Sequence, residues 1–410
     1  MRPILFLASL WVAVSLNLSV HGQEAGLFNE VLTLLNESGL AFDEARARRA
    51  AANALVHSAD PLGDLLTEAQ AIALKEYQSG RIHDSGIRLM VTNGVFYVRR
   101  MDPGSPALHA GVNVGDELRA IDDRKIIHKR FSEVIERLRA DHERELKLTL
   151  AGSEGPVRDI VLTLRPVQLN TIEISEEFPS GICYIKINGL YEEGAAAMVN
   201  QLRNWEQQNK TGIILDLRDA GGRELTTVQE IAAQFAQPNS PLFTLQNISL
   251  NQAQKYESGD TRPITVPAML LINKRTTGAA ELLVATLKGS GLGAMVLGEV
   301  TQGDYGLRQY IKLAGGDFVY LATHQMTMGD GTRYDGSHGI HPDVSVADVN
   351  IKVAPISPEL SFNHRESTDD EDRIGERIKE RTGDDAVLQR AVDVLLGLKA
   401  LNIRAIGKAP

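Results

Sequence analysis

The chain has 410 residues, 43 of them Lys or Arg and 53 Asp or Glu, which gives a formal net charge of −10. The 43% hydrophobic and 23% charged residues are ordinary for a globular protein of two or three domains, so a disordered or collagen-like chain is excluded. The acidic balance argues against a nucleic-acid partner, and the single cysteine, Cys183, excludes an intrachain disulfide and a cysteine-based zinc cluster.

The first 22 residues have the pattern of a secretory signal peptide. Arg2 forms a short positive region, residues 4–16 carry no charge, and Gly22 is a small residue at a cleavage edge. We therefore expect an exported protein, periplasmic or extracellular, with no membrane span once residues 1–22 are removed. An uncleaved N-terminal anchor is the alternative, although the apolar stretch is shorter than the roughly 20 residues that a spanning helix needs.

Residues 23–80 are predicted to form a helical region. Apolar residues recur at helical spacing after residue 27, a second run follows Asp43 as its N-cap, and a third helix is expected over residues 67–78. Pro61 separates the second run from the third, because proline disfavours helix in the residue before it. No chemistry is visible here, so this region is predicted to serve packing.

Residues 81–165 change to the period of β-strands. Two strand-like segments, residues 86–90 and 95–98, are joined by the hairpin dipeptide Asn93-Gly94. Residues 103–118, PGSPALHAGVNVGDEL, then resemble the core signature of bacterial PDZ domains. The resemblance implies that an extended peptide C-terminus adds a strand to the sheet edge and that its carboxylate meets backbone N–H groups of a short loop. The implied loop and strand are Ser85, Gly86, Ile87, Arg88 and Leu89, where Arg88 either assists by its charge or is simply solvated.

Residues 166–350 alternate buried strands with helices, which predicts an α/β core with a mostly parallel central sheet. Residues 351–410 contain the acidic linker ESTDDED and then an amphipathic C-terminal helix. The fold class expected for the whole chain is therefore α/β and multi-domain. The predicted core strands cover residues 181–187, 212–218 and 268–272, and the predicted core helices cover residues 192–207 and 279–288.

Four motifs stand out in the core: LDLR and GG in residues 215–222, the strand and helix around residues 272–281, GEVTQG in residues 298–303, and GIHPDV in residues 339–344. In this order they resemble the motifs of the C-terminal processing peptidases, also called tail-specific proteases. The resemblance implies a serine at a helix N-terminus that attacks the peptide carbonyl, a neutral lysine that takes its proton, and backbone amides that stabilise the oxyanion.

The two residues of the family dyad are replaced in this chain. The position of the nucleophile holds Gly278, and the position of the lysine holds Asp304. The family's orienting glutamine corresponds to Gln309 or Arg308, because the spacing after Gly303 is one residue longer than in the family. We therefore predict that the dyad is absent and that the chain is a pseudoenzyme.

The rest of the predicted pocket is retained, and Glu281, three residues after Gly278, keeps the spacing of a capping box at the start of the helix. Backbone groups of Gly221, Gly222 and Ala279 are expected to face it, together with the N-terminal end of the helix dipole. The first hypothesis is accordingly a protein that binds peptide or protein C-terminal tails through the PDZ-like groove without cleaving them, or that partners an active protease. It needs no cofactor and no metal.

Two rival functions stay open from the sequence. One is a serine-type or threonine-based endopeptidase in which Thr276 or Thr277 is a displaced nucleophile, and the other is a scaffold in which only the PDZ-like groove binds. The histidines at 324, 338 and 341 are not interpreted as a metal site, because no carboxylate spacing beside them supports tetrahedral coordination.

Overall fold

The computed structural model describes residues 23–39, 41–92, 95–102, 104–127, 129, 134–135, 137–140, 142–152, 156–178, 180–250, 252–289, 294–304, 307–334, 338–347, 385–401 and 403. The predicted signal peptide, the Asn93-Gly94 turn and the acidic linker lie outside the described residues. The chain divides into two compact units, residues 1–59 and 60–410. Over the described ranges, no helix is both long enough and apolar enough to cross a bilayer.

The order of helices and strands matches the α/β class predicted from the sequence. The described residues form helices α1 (Gln23–Glu37), α2 (Glu44–Ala59), α3 (Glu68–Gln78), α4 (Pro106–His109), α5 (Ala195–Gln207), α6 (Leu225–Ala233), α7 (Gly278–Gly289) and α8 (Ala386–Ala400). They form strands β1 (Asp64–Leu66), β2 (Arg81–Asp84), β3 (Ile87–Thr92), β4 (Val95–Met101), β5 (Glu117–Ile121), β6 (Arg124–Lys125), β7 (Arg139–Ala140), β8 (Glu145–Ala151), β9 (Val157–Thr163), β10 (Arg165–Gln168), β11 (Ile172–Glu177), β12 (Ile182–Ile187), β13 (Gly189–Leu190), β14 (Gly212–Asp216), β15 (Gly221–Gly222), β16 (Pro241–Asn247), β17 (Ala253–Glu257), β18 (Ala268–Ile272), β19 (Ala294–Gly298), β20 (Arg308–Lys312), β21 (Phe318–Ala322), β22 (His324–Met328), β23 (Arg333–Tyr334) and β24 (Val344–Ser345).

The first unit contains α1 and α2. The expected start of the second helix is confirmed, because the Asp43 carboxylate accepts a hydrogen bond from the Arg46 N–H at 3.0 Å. One turn further along, Arg48 and Glu44 form an exposed ion pair of 2.7 Å at i,i+4 spacing.

The second unit begins with β1 and α3. The predicted third helix is confirmed, and a capping box fixes its start: the Thr67 hydroxyl accepts from the Gln70 N–H, and the Gln70 side chain accepts from the Thr67 N–H. The sequence did not predict β1, which pairs antiparallel with β21. The partner strand lies about 250 residues away in the chain, so a local pattern carries no sign of this pairing.

The PDZ-like segment is built on a β-sheet in the order β3-β4-β5-β8-β9, with β6 paired to β5. In the described part of this sheet, β3 lies at one edge. Ile87, Phe96, Leu118 and Leu148 fill its hydrophobic core. A separate small antiparallel sheet has the order β10-β2-β7 and joins strands from both ends of the segment to one within it.

The central sheet has the order β11-β12-β14-β18-β19-β24. All neighbours are parallel except β11 and β12, which confirms the mostly parallel sheet predicted from the sequence. Every residue of β14 and β18 is buried, as a strand covered on both faces requires. Side chains of α5, α6 and α7 cover one face, and those of α8 cover the other.

A buried charge network ties the predicted C-terminal helix α8 to this sheet. The Arg218 guanidinium pairs with Asp216 at 2.6 Å and with Asp385, the N-cap of α8, at 2.6 Å. Burial raises the pKa of Asp216, but the charges of Arg218 and Lys186 outweigh it and hold that pKa well below its ordinary value. The LDLR motif therefore stabilises the fold through its Asp and Arg.

Candidate functional site

The candidate site lies at the carboxyl edge of the central sheet. β14, β18 and β19 are parallel neighbours, so the segments that follow them leave the sheet at the same edge. These segments carry the Gly221-Gly222 pair, the start of α7 at Gly278, and the loop of residues 301–304. With parts of α3 and the β2-β7-β10 sheet, they line a cavity of about 520 Å³.

The structure brings the predicted oxyanion groups together. Gly221, Gly222 and Ala279 line the cavity beside Gly278, although β15 and α7 are more than 50 residues apart in the chain. The first N–H groups of a helix have no acceptor within the helix, and the helix dipole favours negative charge there. The amide of Ala279 occupies this position at the head of α7.

Gly278 stands where a side chain does not fit. Its φ is +57°, a left-handed conformation that costs an L-residue roughly 1–2 kcal/mol. A Cβ placed there would lie 2.6 Å from the carbonyl oxygen of Gly222. The Gly278 N–H donates to the Asp304 carbonyl at 2.9 Å, which fixes this end of the helix against the next loop. Backbone conformation and space thus both favour glycine.

Asp304 is held by a buried cation. Its carboxylate forms an ion pair with the Arg308 guanidinium, which also donates two hydrogen bonds of 2.8 Å to the Asp60 carboxylate. The Arg308 side chain is only 2% exposed. Burial raises the pKa of Asp60, but hydrogen bonds from Arg308 and the Ala322 N–H lower it below its ordinary value. One guanidinium therefore serves two carboxylates.

The structure separates the two candidates for the glutamine position. Arg308 begins β20 with its side chain buried and lining the cavity. Gln309, the next residue in the strand, is exposed on the other side, as the alternation of a strand requires.

The two threonines differ in their surroundings. Thr276 is completely buried, its hydroxyl donates to the Leu217 carbonyl at 2.9 Å and accepts from the Asn273 N–H at 3.0 Å, and the described cavity lining does not include it. Its hydroxyl is thus a structural group, which is a correction to its place among the alternative nucleophiles. Thr277 does line the cavity, and its hydroxyl lies 3.4 Å from the Asp304 carboxylate.

Glu281 has a role different from the helix cap expected from the sequence. Its buried carboxylate accepts from the N–H groups of Gly303 and Asp304, both at 2.8 Å, and from the Thr301 hydroxyl. Burial raises the pKa of Glu281 to about 7 despite these bonds. The side chain therefore fastens the loop of residues 301–304 to α7, while the Gly278 N–H finds its acceptor in Asp304.

Sequence reasoning missed Arg223, which lines the cavity immediately after the two glycines. Its guanidinium donates to the Gln78 side-chain oxygen at 2.8 Å and to the Arg308 carbonyl. It also lies over the rings of Tyr310 and Tyr320, at 5.3 and 5.7 Å from their centroids. Its position directly after Gly221-Gly222 was the only feature of the sequence that could have pointed to Arg223 as a residue of the cavity.

The predicted PDZ loop uses its N–H groups internally. The Gly86 N–H donates to the Asp84 carboxylate at 2.6 Å, and the Ile87 N–H donates to the Ser85 hydroxyl at 3.3 Å. Arg88 is neither solvated nor free, because it pairs with Asp84 and Asp102 and is 18% exposed.

The other predicted strand residues, Ile87 and Leu89, are buried in the core of the PDZ-like sheet. Peptide addition to β3 stays a prediction. It would use the strand's outer edge and not these side chains.

Among the described residues, no group of three or more His, Cys, Asp or Glu is placed to hold a metal ion. The ring of His324 lies 2.8 Å from the Thr323 hydroxyl. Burial lowers the pKa of His324.

Comparison with known proteins shows two matched regions. Residues 181–346 match the model of peptidase family S41, and residues 97–152 match the model of the PDZ domain. A carboxyl-terminal-processing protease of Picosynechococcus sp. is 26% identical over 318 residues, which cover 76% of this chain and 75% of that protein. The carboxy-terminal processing protease CtpA of Bacillus subtilis is 22% identical over 285 residues, covering 70% of this chain and 60% of its own length.

A solved structure has the same fold. The crystal structure of a candidate S41 protease from Bacteroides fragilis has a TM-score of 0.51 and 16% identity, and the match covers 83% of this chain and 87% of that one. The chain spans between about half and three quarters of the length of the curated relatives that it matches.

Proposed function

We propose that this chain is a member of the C-terminal processing peptidase family that binds peptides in the cavity at the head of α7 without cleaving them. Gly278 carries this proposal. An acyl-transfer mechanism of the family type needs an oxygen nucleophile at that position, and glycine supplies none. The positive φ and the 2.6 Å approach to Gly222 make the position suited to glycine alone.

The surroundings of Asp304 support the same conclusion. A general base has to accept a proton from a nucleophile within hydrogen-bond reach. The Asp304 carboxylate is engaged in an ion pair with the buried Arg308 guanidinium, and Gly278, the expected position of the nucleophile, carries no hydroxyl. The cavity thus retains backbone donors for a peptide carbonyl or carboxylate, but it lacks the dyad.

Paired binding and cleavage measurements test the proposal. A fluorescent unfolded peptide with an apolar C-terminus should bind saturably to the purified chain and be recovered intact by mass spectrometry. Gln302 is exposed at the cavity rim, so Gln302→Trp should block the cavity and weaken binding at least tenfold. The control is Gln252→Trp, at an exposed position outside the described lining, which should bind like the parent.

Two outcomes would redirect the proposal. Binding that Gln302→Trp leaves unchanged would place the ligand on the PDZ-like edge strand, as the scaffold hypothesis expects. Absence of binding by the parent chain at millimolar peptide would remove the proposal altogether.

Displaced catalysis is the second candidate, and one contact favours it. The Thr277 hydroxyl lies in the cavity, 3.4 Å from the Asp304 carboxylate. That distance exceeds the 2.5–3.0 Å usual for an O–H···O hydrogen bond, so the binding function is better supported. Cleavage that Thr277→Ala abolishes and Thr277→Ser retains would establish this candidate.

The cellular role is proposed from the sequence of residues 1–22 and from the family. The protein is proposed to act outside the cytoplasm, in the periplasm or the extracellular space, either alone on peptide tails or beside an active protease. Fractionation of cells that carry a C-terminally tagged chain tests the location. Adding the chain to an active family protease tests the partnership, because a regulator changes the cleavage rate at concentrations below that of the substrate.

A further inference from the structure

The cations that line the cavity differ in their partners. Five of them are paired with carboxylates of the fold at 4 Å or less, and those pairs account for their charge. Arg223 is the exception: among the described residues, no carboxylate pairs with it. The five pairs are Arg139 with Asp84, Lys186 with Asp216, Arg218 with Asp216, Arg275 with Asp219, and Arg308 with Asp60.

Arg223 is held in place by neutral groups. Its guanidinium donates to the Gln78 side-chain oxygen and to the Arg308 carbonyl, so its position is fixed while no carboxylate of the described part of the chain pairs with its charge. Gln78 is itself oriented, because Tyr310 donates to its oxygen at 2.7 Å and its amide donates to Tyr320 at 2.8 Å. A guanidinium has five N–H donors, and two such bonds leave others for a ligand.

The location of Arg223 favours an anion as that ligand. The residue follows Gly222 directly, and Gly222 and Ala279 line the same cavity. The dipole of α7, a 12-residue helix, adds positive potential at the same end. Two of the three acidic residues in the lining, Asp219 and Asp304, are already paired with arginines.

We propose that Arg223 forms a carboxylate subsite of the cavity, so that its ligands are peptides bearing a carboxylate near the segment bound at Gly222. The planar guanidinium matches a carboxylate in two parallel hydrogen bonds. The carboxylate is either the C-terminus of the peptide or an Asp or Glu side chain, since both present the same group. This inference rests on the proposed peptide-binding function and names the ligand class for it.

Four versions of one fluorescent peptide test the subsite: an internal Glu with a free C-terminus, the same Glu with an amidated C-terminus, Gln with a free C-terminus, and Gln with an amidated C-terminus. The parent chain should bind a carboxylate-bearing version about 10- to 100-fold more tightly than the doubly neutral one, as for a hydrogen-bonded charge pair. If replacing Glu with Gln removes the affinity advantage, the side chain supplies the carboxylate. If amidation of the C-terminus removes it, the C-terminus supplies the carboxylate.

Two variants locate the effect. Arg223→Gln should remove the preference for the carboxylate, measured as the ratio of its affinities for the carboxylate-bearing and the doubly neutral peptides. Arg223→Lys should retain only part of it, because a lysine lacks the planar fork. Lys312→Gln, which removes an exposed cation outside the described lining, should behave like the parent.

The results separate this inference from the function on which it rests. If the parent chain binds all four peptides equally, peptide binding stands and the subsite is wrong. If Arg223→Gln is folded by circular dichroism and keeps the preference, another group binds the carboxylate and the inference is overturned. If Arg223→Gln does not fold, the comparison of the four peptides on the parent chain still decides, because equal affinities contradict the subsite. If the parent binds no peptide, the proposed function itself fails.

Discussion

Replacing Gly278 with serine introduces the residue type that the family resemblance implies at this position, and it perturbs the structure at a defined point. The left-handed conformation costs the new side chain roughly 1–2 kcal/mol. The 2.6 Å approach of its Cβ to the Gly222 carbonyl adds an overpacking cost of about 1–3 kcal/mol. We therefore expect Gly278→Ser to lower the free energy of unfolding by about 2–5 kcal/mol.

The Gly222 carbonyl has little room to move away. Gly222 is itself at φ +97°, and a Cβ on it would lie 2.3 Å from the Leu190 carbonyl oxygen, so β15 packs closely against β13. Urea unfolding followed by circular dichroism measures the loss. Gly278→Ser should also fail to create cleavage activity, because Asp304 is paired with Arg308 and no lysine stands in its position.

Gly315 and Gly316, which are adjacent to each other in the chain, provide matched controls for Gly278→Ser. Gly316 has φ +95° with open space around its Cβ position, so Gly316→Ser measures conformational strain without a clash. Gly315 has open space and no positive φ, so Gly315→Ser should change stability by less than about 0.5 kcal/mol. A Gly278→Ser variant as stable as the Gly315→Ser variant would refute the reasoning, since the position would then accept a side chain freely.

Three further perturbations test the buried polar groups. Arg308→Gln leaves the Asp60 and Asp304 carboxylates without their cation and should cost about 3–5 kcal/mol in urea unfolding, whereas a loss below 1 kcal/mol would mean that the pair is solvated. Thr276→Val removes a hydroxyl that joins Leu217 to Asn273 and should cost about 1–3 kcal/mol, with no effect on any cleavage that is found. Glu281 has its folded-state pKa raised from 4.5 to about 7, so its stabilising contribution is complete below about pH 4.5 and is lost as the pH rises through 7. Relative to Glu281→Gln, the parent should therefore lose up to about 3 kcal/mol between those pH values, and a pH-independent difference would contradict the raised pKa.

The sequence was informative wherever local pattern decides structure. The fully apolar runs of β14 and β18 predicted buried parallel strands, and a capping residue identified the start of α2. The residues that flank Gly278 resemble those around the family's nucleophile, which is why the sequence predicts that the nucleophile is absent.

The features that the sequence did not predict depend on contacts between distant segments. Asp60 meets Arg308 across 248 positions, and Gln78 meets Arg223 across 145. No local period signals such pairs, so Arg308 was read only as one of two candidates for the glutamine position, and Arg223 was not singled out. Arg88 was misread for the same reason, since its partner Asp102 lies on the far side of a hairpin.

Glu281 shows how a correct motif can suggest the wrong contact. Its spacing from Gly278 fits a capping box. The Gly278 N–H is instead satisfied by the Asp304 carbonyl, and the carboxylate turns to the loop of residues 301–304. The sequence alone allows the Glu281 carboxylate to bond either the start of α7 or the loop of residues 301–304, and tertiary packing selects the loop.

Mass spectrometry of a peptide held by the parent chain tests most directly whether this cavity binds without cleaving. The chain is incubated at saturating concentration with an unfolded peptide, and both free and bound fractions are analysed after one and twenty-four hours. Gly278 in place of a nucleophile predicts saturable binding and full recovery of intact peptide at both times. Fragments that accumulate with time, and that disappear in Thr277→Ala but not in Gln252→Trp, would contradict the absence of catalysis and establish Thr277 as a working nucleophile.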